Sequence, residues 1–229
     1  MRTTQTKKRH TVTGYLAPVF LFLFALITVQ CASADKPFPD PPAEKPAAHS
    51  GQATAVLAGG CFWGMEGVFE RLRGVTDVVS GYAGGDAATA TYMRVSSGKT
   101  GHAESVRIQY DPARITYGTI LKVFFDVAHN PTQLNSQGPD HGTQYRSVIF
   151  YVNEEQKKIA EAYIRTIDQA RVYPRKIVTQ VTPFRAFYPA EEYHQDFMRL
   201  NPTYPYIVYW DAPKVKHLEQ AYPNLIKAQ

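Results

Sequence analysis

The chain has 229 residues, 44% of them hydrophobic and 13% aromatic, and a formal net charge of +5. Four of its basic residues, Arg2, Lys7, Lys8 and Arg9, lie in the first 34 residues, which hold no acid. The other 195 residues carry about +1, which is enough chain for one domain with a sizeable core and excludes an argument for nucleic acid or an anionic membrane surface as partner.

In chain order, the first feature is the basic stretch MRTTQTKKRH, followed by the apolar run VFLFLFALITV and the small residues Ala32-Ser33-Ala34. This order predicts a secretory signal over residues 1–34. The apolar run falls short of the roughly 20 residues that a spanning helix needs. Cleavage near Ala34 makes the protein exported and periplasmic; an uncleaved anchor facing the periplasm is the alternative. A lipoprotein acylated on Cys31 fits less well, because Gln30 stands where a small residue is expected. Residues 35–52, DKPFPDPPAEKPAAHSGQ, contain five prolines and predict an extended, solvated linker. The domain is then expected over residues 53–229.

Within it, TAVLAGG predicts a buried strand ending in a turn, and GMEGVFERLRG a helix closed by Gly74. VTDVVSGYAGG and AESVRIQYDP alternate as strands. TYGTILKVFFDVAH has helical spacing with Thr116 as N-cap, and PTQLNSQGPDHGTQ is a long polar loop. YRSVIFYV predicts a strand, NEEQKKIAEAYIRTIDQA an amphipathic helix capped by Asn153, KIVTQVTP a strand and PAEEYHQDFMRL a short helix. The Pro- and Tyr-rich tail after Asn201 predicts ordered coil. The mixture, with several plausible antiparallel pairs, indicates an α+β sandwich.

After signal cleavage one cysteine remains, Cys61, so no internal disulfide can form and the thiol is either inert or reactive. At the N-terminus of a helix the free amides and the dipole favour a thiolate, and the glycines before it permit a sharp turn. A small buried residue that merely packs is the other reading. Phe62 and Trp63 can wall a pocket for a small apolar group. Glu104 opens a half-buried strand; facing a closed pocket, it would stay neutral and donate a proton, whereas at a solvated strand end it would do nothing. Asp140 and Tyr145 fall in a Gly-rich loop long enough to be functional, and Tyr92 adds a phenol upstream.

The motifs GGCFWGMEGVFERLRGV, GYAGG, GKTGHAESVRIQYDP, HNPTQLNSQGPDHGTQYRSVIF and FYPAEEYHQDF, in this order over residues 54–210, resemble peptide methionine sulfoxide reductase A. The resemblance implies that Cys61 attacks the sulfoxide sulfur and that Glu104 protonates its oxygen. It implies that Tyr92 and Tyr145 donate to that oxygen, that Asp140 supports the cysteine, and that Phe62 and Trp63 hold the terminal methyl. The expected fold becomes a two-layer αβ sandwich on a ferredoxin-like core, ending in extended coil. The substrate is methionine S-sulfoxide, free or in oxidised proteins, and Cys61 passes through a sulfenic acid.

One departure matters. Many members carry resolving cysteines, whereas residues 201–229 here hold none and Ser96 and Ser97 stand where some relatives have one. The expectation is a monomeric one-cysteine enzyme with no bound cofactor, regenerated by an external thiol reductant, a thioredoxin-like protein or a small thiol. No His/Cys/Asp spacing suggests a metal. His102 and His194 are expected to be structural rather than catalytic bases. The competing readings are a thiol peroxidase and a non-enzymatic module that binds methionine-rich proteins.

Overall fold

A computed structural model describes residues 1–2, 4, 37–44 and 51–228. Apart from Met1, Arg2 and Thr4, the expected signal segment lies outside the described residues. β1 (Ala53–Ala58) leads through a glycine corner into α1 (Phe62–Phe69), and β2 (Val75–Ala83) follows. Next come the single turn α2 (Tyr92–Val95), β3 (Ala103–Tyr110) and α3 (Tyr117–Val123), which α-to-π widening extends through Phe124–Ala128. The polar loop folds on itself as β4 (Ser136–Gln137) and β5 (Asp140–His141), then closes in a 3₁₀ turn over Thr143–Tyr145. β6 (Val148–Tyr151), α4 (Glu154–Ala170), β7 (Gln180–Pro183), β8 (Phe187–Pro189) and α5 (Phe197–Leu200) follow. A π turn at Ile207–Asp211 runs into α6 (Ala212–Ala221).

The main sheet has the order β7-β6-β1-β3-β2-β8, with β6 and β7 parallel and the other pairs antiparallel. β1 is central and buried on both faces, which is why its sequence is a continuous apolar run rather than an alternation. Ala55 and Leu57 point into the large core beneath the helices, together with Val106, Ile108 and Ile149. Val56 and Ala58 face the other way, with Ala83, Ala103, Val148 and Phe150, under Phe184 from the β7–β8 connection and Phe187 of β8. Helices therefore cover one sheet face and a short strap of chain covers the other.

The N-caps at Thr116 and Asn153 form as the sequence indicates, their side chains accepting from the amides of Thr119 and Gln156 at 3.1 and 2.8 Å. Five expectations need correction. PAEEYHQDFMRL is not one short helix: Pro189 ends β8, a 3₁₀ turn spans Glu192–His194, and Asp196, at φ 56°, breaks the helical run before α5. α1 stops at Phe69 rather than at Gly74, because Leu72 leaves the helix to bridge Ile226. Tyr145 ends a 3₁₀ turn and does not open a strand. The tail is not extended coil: Ile207, Asp211, Val215 and Leu218, at helical spacing, are buried, and Pro213 sits in the first turn of α6, where its missing N–H costs nothing. Finally, the described part of the proline-rich linker is docked on the domain rather than free of it, with Pro37, Asp40 and Ala43 still exposed. Phe38 packs on the core and against Tyr173, and the Tyr163 hydroxyl donates to the Pro39 carbonyl at 2.7 Å. Asp40 pairs with Lys122 at 2.6 Å, and Glu44 accepts the Gly118 amide of α3 at 2.5 Å.

α1 also carries a buried acid that the site does not use. Burial pushes Glu66 up to about 8, helped by the neighbouring charge of Glu70, while its carboxylate accepts the Asp196 amide at 3.0 Å. A carboxyl whose folded pKa exceeds its unfolded value stabilises the fold fully at low pH and loses that contribution as pH rises towards 8. Glu66→Gln, which keeps an acceptor for Asp196 without the charge, is therefore expected to match the parent at pH 4.5. At pH 8 it should melt roughly 2–8 °C higher, the shift that about 1–2 kcal/mol produces in a domain of this size. Thermal melts across this range check it; a constant difference at all pH values would count against it.

Candidate active site

Cys61 occupies the N-cap position of α1, with φ −55° and ψ 126°, and is 9% exposed. The corner depends on Gly60, whose φ of +99° is costly for any residue with a Cβ and whose Cβ position would lie 2.5 Å from the Gln137 side chain of β4. The Phe62 amide that opens α1 donates to a Glu104 carboxylate oxygen at 3.2 Å, and the Trp63 amide beside it favours the Cys61 thiolate.

All seven residues singled out in the sequence converge. Cys61, Phe62, Trp63, Tyr92, Glu104, Asp140 and Tyr145 line one cavity of about 150 Å³, and Tyr206 completes it. Two come from α1 and one from its cap; the others are delivered by α2, β3, β5, the 3₁₀ turn and the tail. Glu104, 2% exposed, is held near 8 by burial, against the opposing Phe62 amide, so it is a neutral acid at pH 7. Burial also raises the phenols of Tyr92, Tyr145 and Tyr206, keeping them as donors. Asp140, whose pKa is raised by burial, accepts a short hydrogen bond from Tyr206.

The thiol does not behave as the helix-terminus argument indicates. Burial pushes it well above its usual pKa, the Glu104 and Asp211 charges add to this, and the Trp63 amide and Lys214 only partly offset them. At rest the cavity therefore holds a thiol and a carboxylic acid, both protonated. Desolvation wins because the favourable dipole acts over one short turn, while burial removes water from the whole group.

The aromatic wall is braced from behind. Trp63 stacks on Phe197 at 3.8 Å and meets the edges of Tyr204 and Tyr206. Its indole N–H donates to His194 Nδ1 at 3.2 Å, and the His194 ring also packs on Phe62 and Tyr92. Glu191 accepts the Tyr92 amide at 2.9 Å and the Tyr82 hydroxyl at 2.8 Å, fixing the turn that presents Tyr92. His102 is no base for the thiol: Nδ1 accepts the Gly85 amide, so Nε2 carries the proton that it donates to the Asp86 carbonyl at 3.0 Å. A larger cavity, about 600 Å³, opens beside Tyr110 and Tyr117 and contains no sulfur.

The peptide methionine sulfoxide reductase family model matches residues 53–225. The chain belongs to this family. The reductase is an oxidoreductase of the MsrA type. It is 60% identical over 175 residues to peptide methionine sulfoxide reductase MsrA 2 of Mesorhizobium japonicum, covering 76% of this chain and 90% of that one. It is 51% identical over 197 residues to MsrA 2 of Synechocystis sp., covering 85% and 92%. Among solved structures it is similar to methionine sulfoxide reductase A of Corynebacterium diphtheriae, with a TM-score of 0.59 and 32% identity over 72% of this chain and 86% of that chain. It is also similar to reduced Mxr1 from Saccharomyces cerevisiae, with a TM-score of 0.58 and 35% identity over 70% and 91%. Its mixed α/β architecture is that of these reductases.

Tyr206 is the lining residue of the reductase that sequence reasoning missed. It is one of 15 tyrosines and lies in a stretch without periodicity. Only its tertiary bond to Asp140 marks it.

Proposed function

We propose that the chain reduces methionine S-sulfoxide, free or within exported proteins, to methionine through a Cys61 sulfenic acid that an external thiol reductant returns to thiol. The observation that carries this reading is the buried, neutral Glu104 tied to the helix turn of Cys61, in one cavity with the phenols of Tyr92, Tyr145 and Tyr206. A sulfoxide oxygen departs only after gaining a proton, so acids and donors around the sulfur suit this reaction better than a base does.

In this reading the sulfoxide methyl rests on Phe62 and Trp63, and Tyr92 and Tyr145 donate to the oxygen. A Cys61 sulfur lone pair attacks the sulfoxide sulfur as Glu104 gives its proton to the oxygen, and Glu104 then takes up the thiol proton. The S–O bond and the transient bond between the two sulfurs both break as the hydroxyl passes to the Cys61 sulfur, so that the substrate sulfur leaves reduced by two electrons as a thioether and Cys61 is oxidised to S–OH. A partner thiol attacks that sulfur, water leaves with the hydroxyl, and a second partner thiol breaks the mixed disulfide. A thioredoxin-like protein or a small thiol meets this requirement. Asp140 orders Tyr206 and through it the rim beside Cys61. The finer description of the scaffold as ferredoxin-like rests on the inner strand order β6-β1-β3-β2. Export rests on the basic, apolar and A-x-A features of residues 1–34.

The test uses separated diastereomers of methionine sulfoxide with dithiothreitol. Consumption of the S form with the R form left intact is the expected result. Consumption of both alike would overturn the stereochemical assignment, and faster turnover of hydrogen peroxide than of either would move the reading to a thiol peroxidase.

A further inference from the structure

The π turn and α6 bring a charge pair against the catalytic helix. Asp211 is fully buried, and its Oδ1 accepts from Lys214 Nζ at 3.0 Å; the lysine side chain is 18% exposed. The pair is pressed onto Gly64, in the first turn of α1 and three residues beyond Cys61. A Cβ at position 64 would lie 2.0 Å from Asp211 Oδ1 and 2.9 Å from Lys214 Nζ. Only a glycine admits this approach. The second carboxylate oxygen of Asp211 is buried with no partner.

We propose that Lys214 is a positioning residue for charge: it cancels the Asp211 carboxylate that clamps the tail to α1, so that the Cys61 sulfur can give up its proton during attack. The inference rests on the reading of Cys61 as the nucleophile. The titratable groups around that sulfur are Glu104 from β3, Asp140 from β5 and the phenols of Tyr92, Tyr145 and Tyr206 in its cavity, and, against the first turn of α1, Asp211 and Lys214 from the tail. Every other member of this set is an acid. Lys214 is the cation that opposes Glu104 and Asp211 at the thiol, and it favours the ionised forms of Asp140 and Asp211 as well. Asp211 by itself would serve the fold, since a carboxylate against the first turn of a helix is favourable, but its uncompensated charge would oppose ionisation of Cys61.

The experiment is the pH profile of iodoacetamide alkylation at Cys61, quantified by peptide mapping on the reduced full chain, which needs no sulfoxide turnover. Lys214→Met is expected to slow alkylation about tenfold at pH 7, equivalent to one unit of thiol pKa, and to move the profile towards higher pH. Lys214→Arg is expected to retain the parent profile. The double variant Asp211→Asn with Lys214→Met, which removes both charges, is expected to recover most of the loss. A Lys214→Met profile that overlies the parent overturns the proposal. So does a double variant as slow as the single one, which would assign the loss to packing. Because the readout is alkylation, failure of the sulfoxide assay with an intact charge effect would strike the reaction assigned to Cys61 and leave this pair standing.

Discussion

Given one equivalent of methionine sulfoxide and no reductant, the reduced protein is expected to yield one equivalent of methionine and to gain one oxygen atom on Cys61, without forming an internal disulfide. The reason is positional. A disulfide requires a second sulfur whose Cα lies within about 7 Å, and Cys61 is the free cysteine among the described residues, which run from 51 to 228 without a gap. Ser96 and Ser97, beside α2, offer hydroxyls, which cannot condense with a sulfenic acid to give a disulfide. Cys61→Ser is expected to lower turnover in excess dithiothreitol by about 10⁴-fold or more, the scale on which loss of a nucleophile acts. Intact-mass measurement before and after a single turnover checks the first statement, and a product carrying an internal disulfide would refute it. Steady-state assay of the serine variant checks the second.

Glu104→Gln is expected to lower kcat by about 10²–10⁴-fold, the usual contribution of a positioned general acid, while leaving KM within a few-fold. Glutamine keeps the shape and can still accept the Phe62 amide, so the loss reports the proton and not the packing. The pH dependence has a definite sign. Burial raises the folded pKa to about 8, so the acid is present below that pH and is lost as pH climbs through it. Parent kcat should therefore be level between pH 6 and 7.5 by this group and fall above about 8, whereas the variant, with nothing to lose, should show no bend there. Pre-steady-state measurement of methionine release separates this step from regeneration by the reductant. A parent profile that rises through pH 8 would remove Glu104 from the role of acid.

Much of the site is legible in the sequence because local grammar places it. A double glycine before a cysteine dictates a corner, helical spacing after it dictates a helix, and the alternation from Ala103 dictates a strand whose second residue is Glu104. What was not legible depends on contacts between distant segments. The protonated resting state of Cys61 follows from how much chain closes over it, which no local pattern records. β8 is three residues long, pairs at the sheet edge with Gly81–Ala83, and ends on Pro189, which the sequence pattern assigns to a helix. Tyr206 and the π turn behind it are obscured by Pro202 and Pro205, which suggest an irregular tail. The buried face of that tail begins only at Ile207.

The docking of Pro37–Glu44 has a consequence for where the protein begins. The family model begins at Ala53, yet the hydroxyl of Tyr163, the ammonium of Lys122 and the α3 amide of Gly118 all find partners upstream of it. A polypeptide trimmed to Ala53 would present Tyr173 to solvent and leave all three of those polar groups to water. The minimal cooperative unit therefore extends upstream of the family model, and the prolines at its entrance are clamped masonry rather than slack rope.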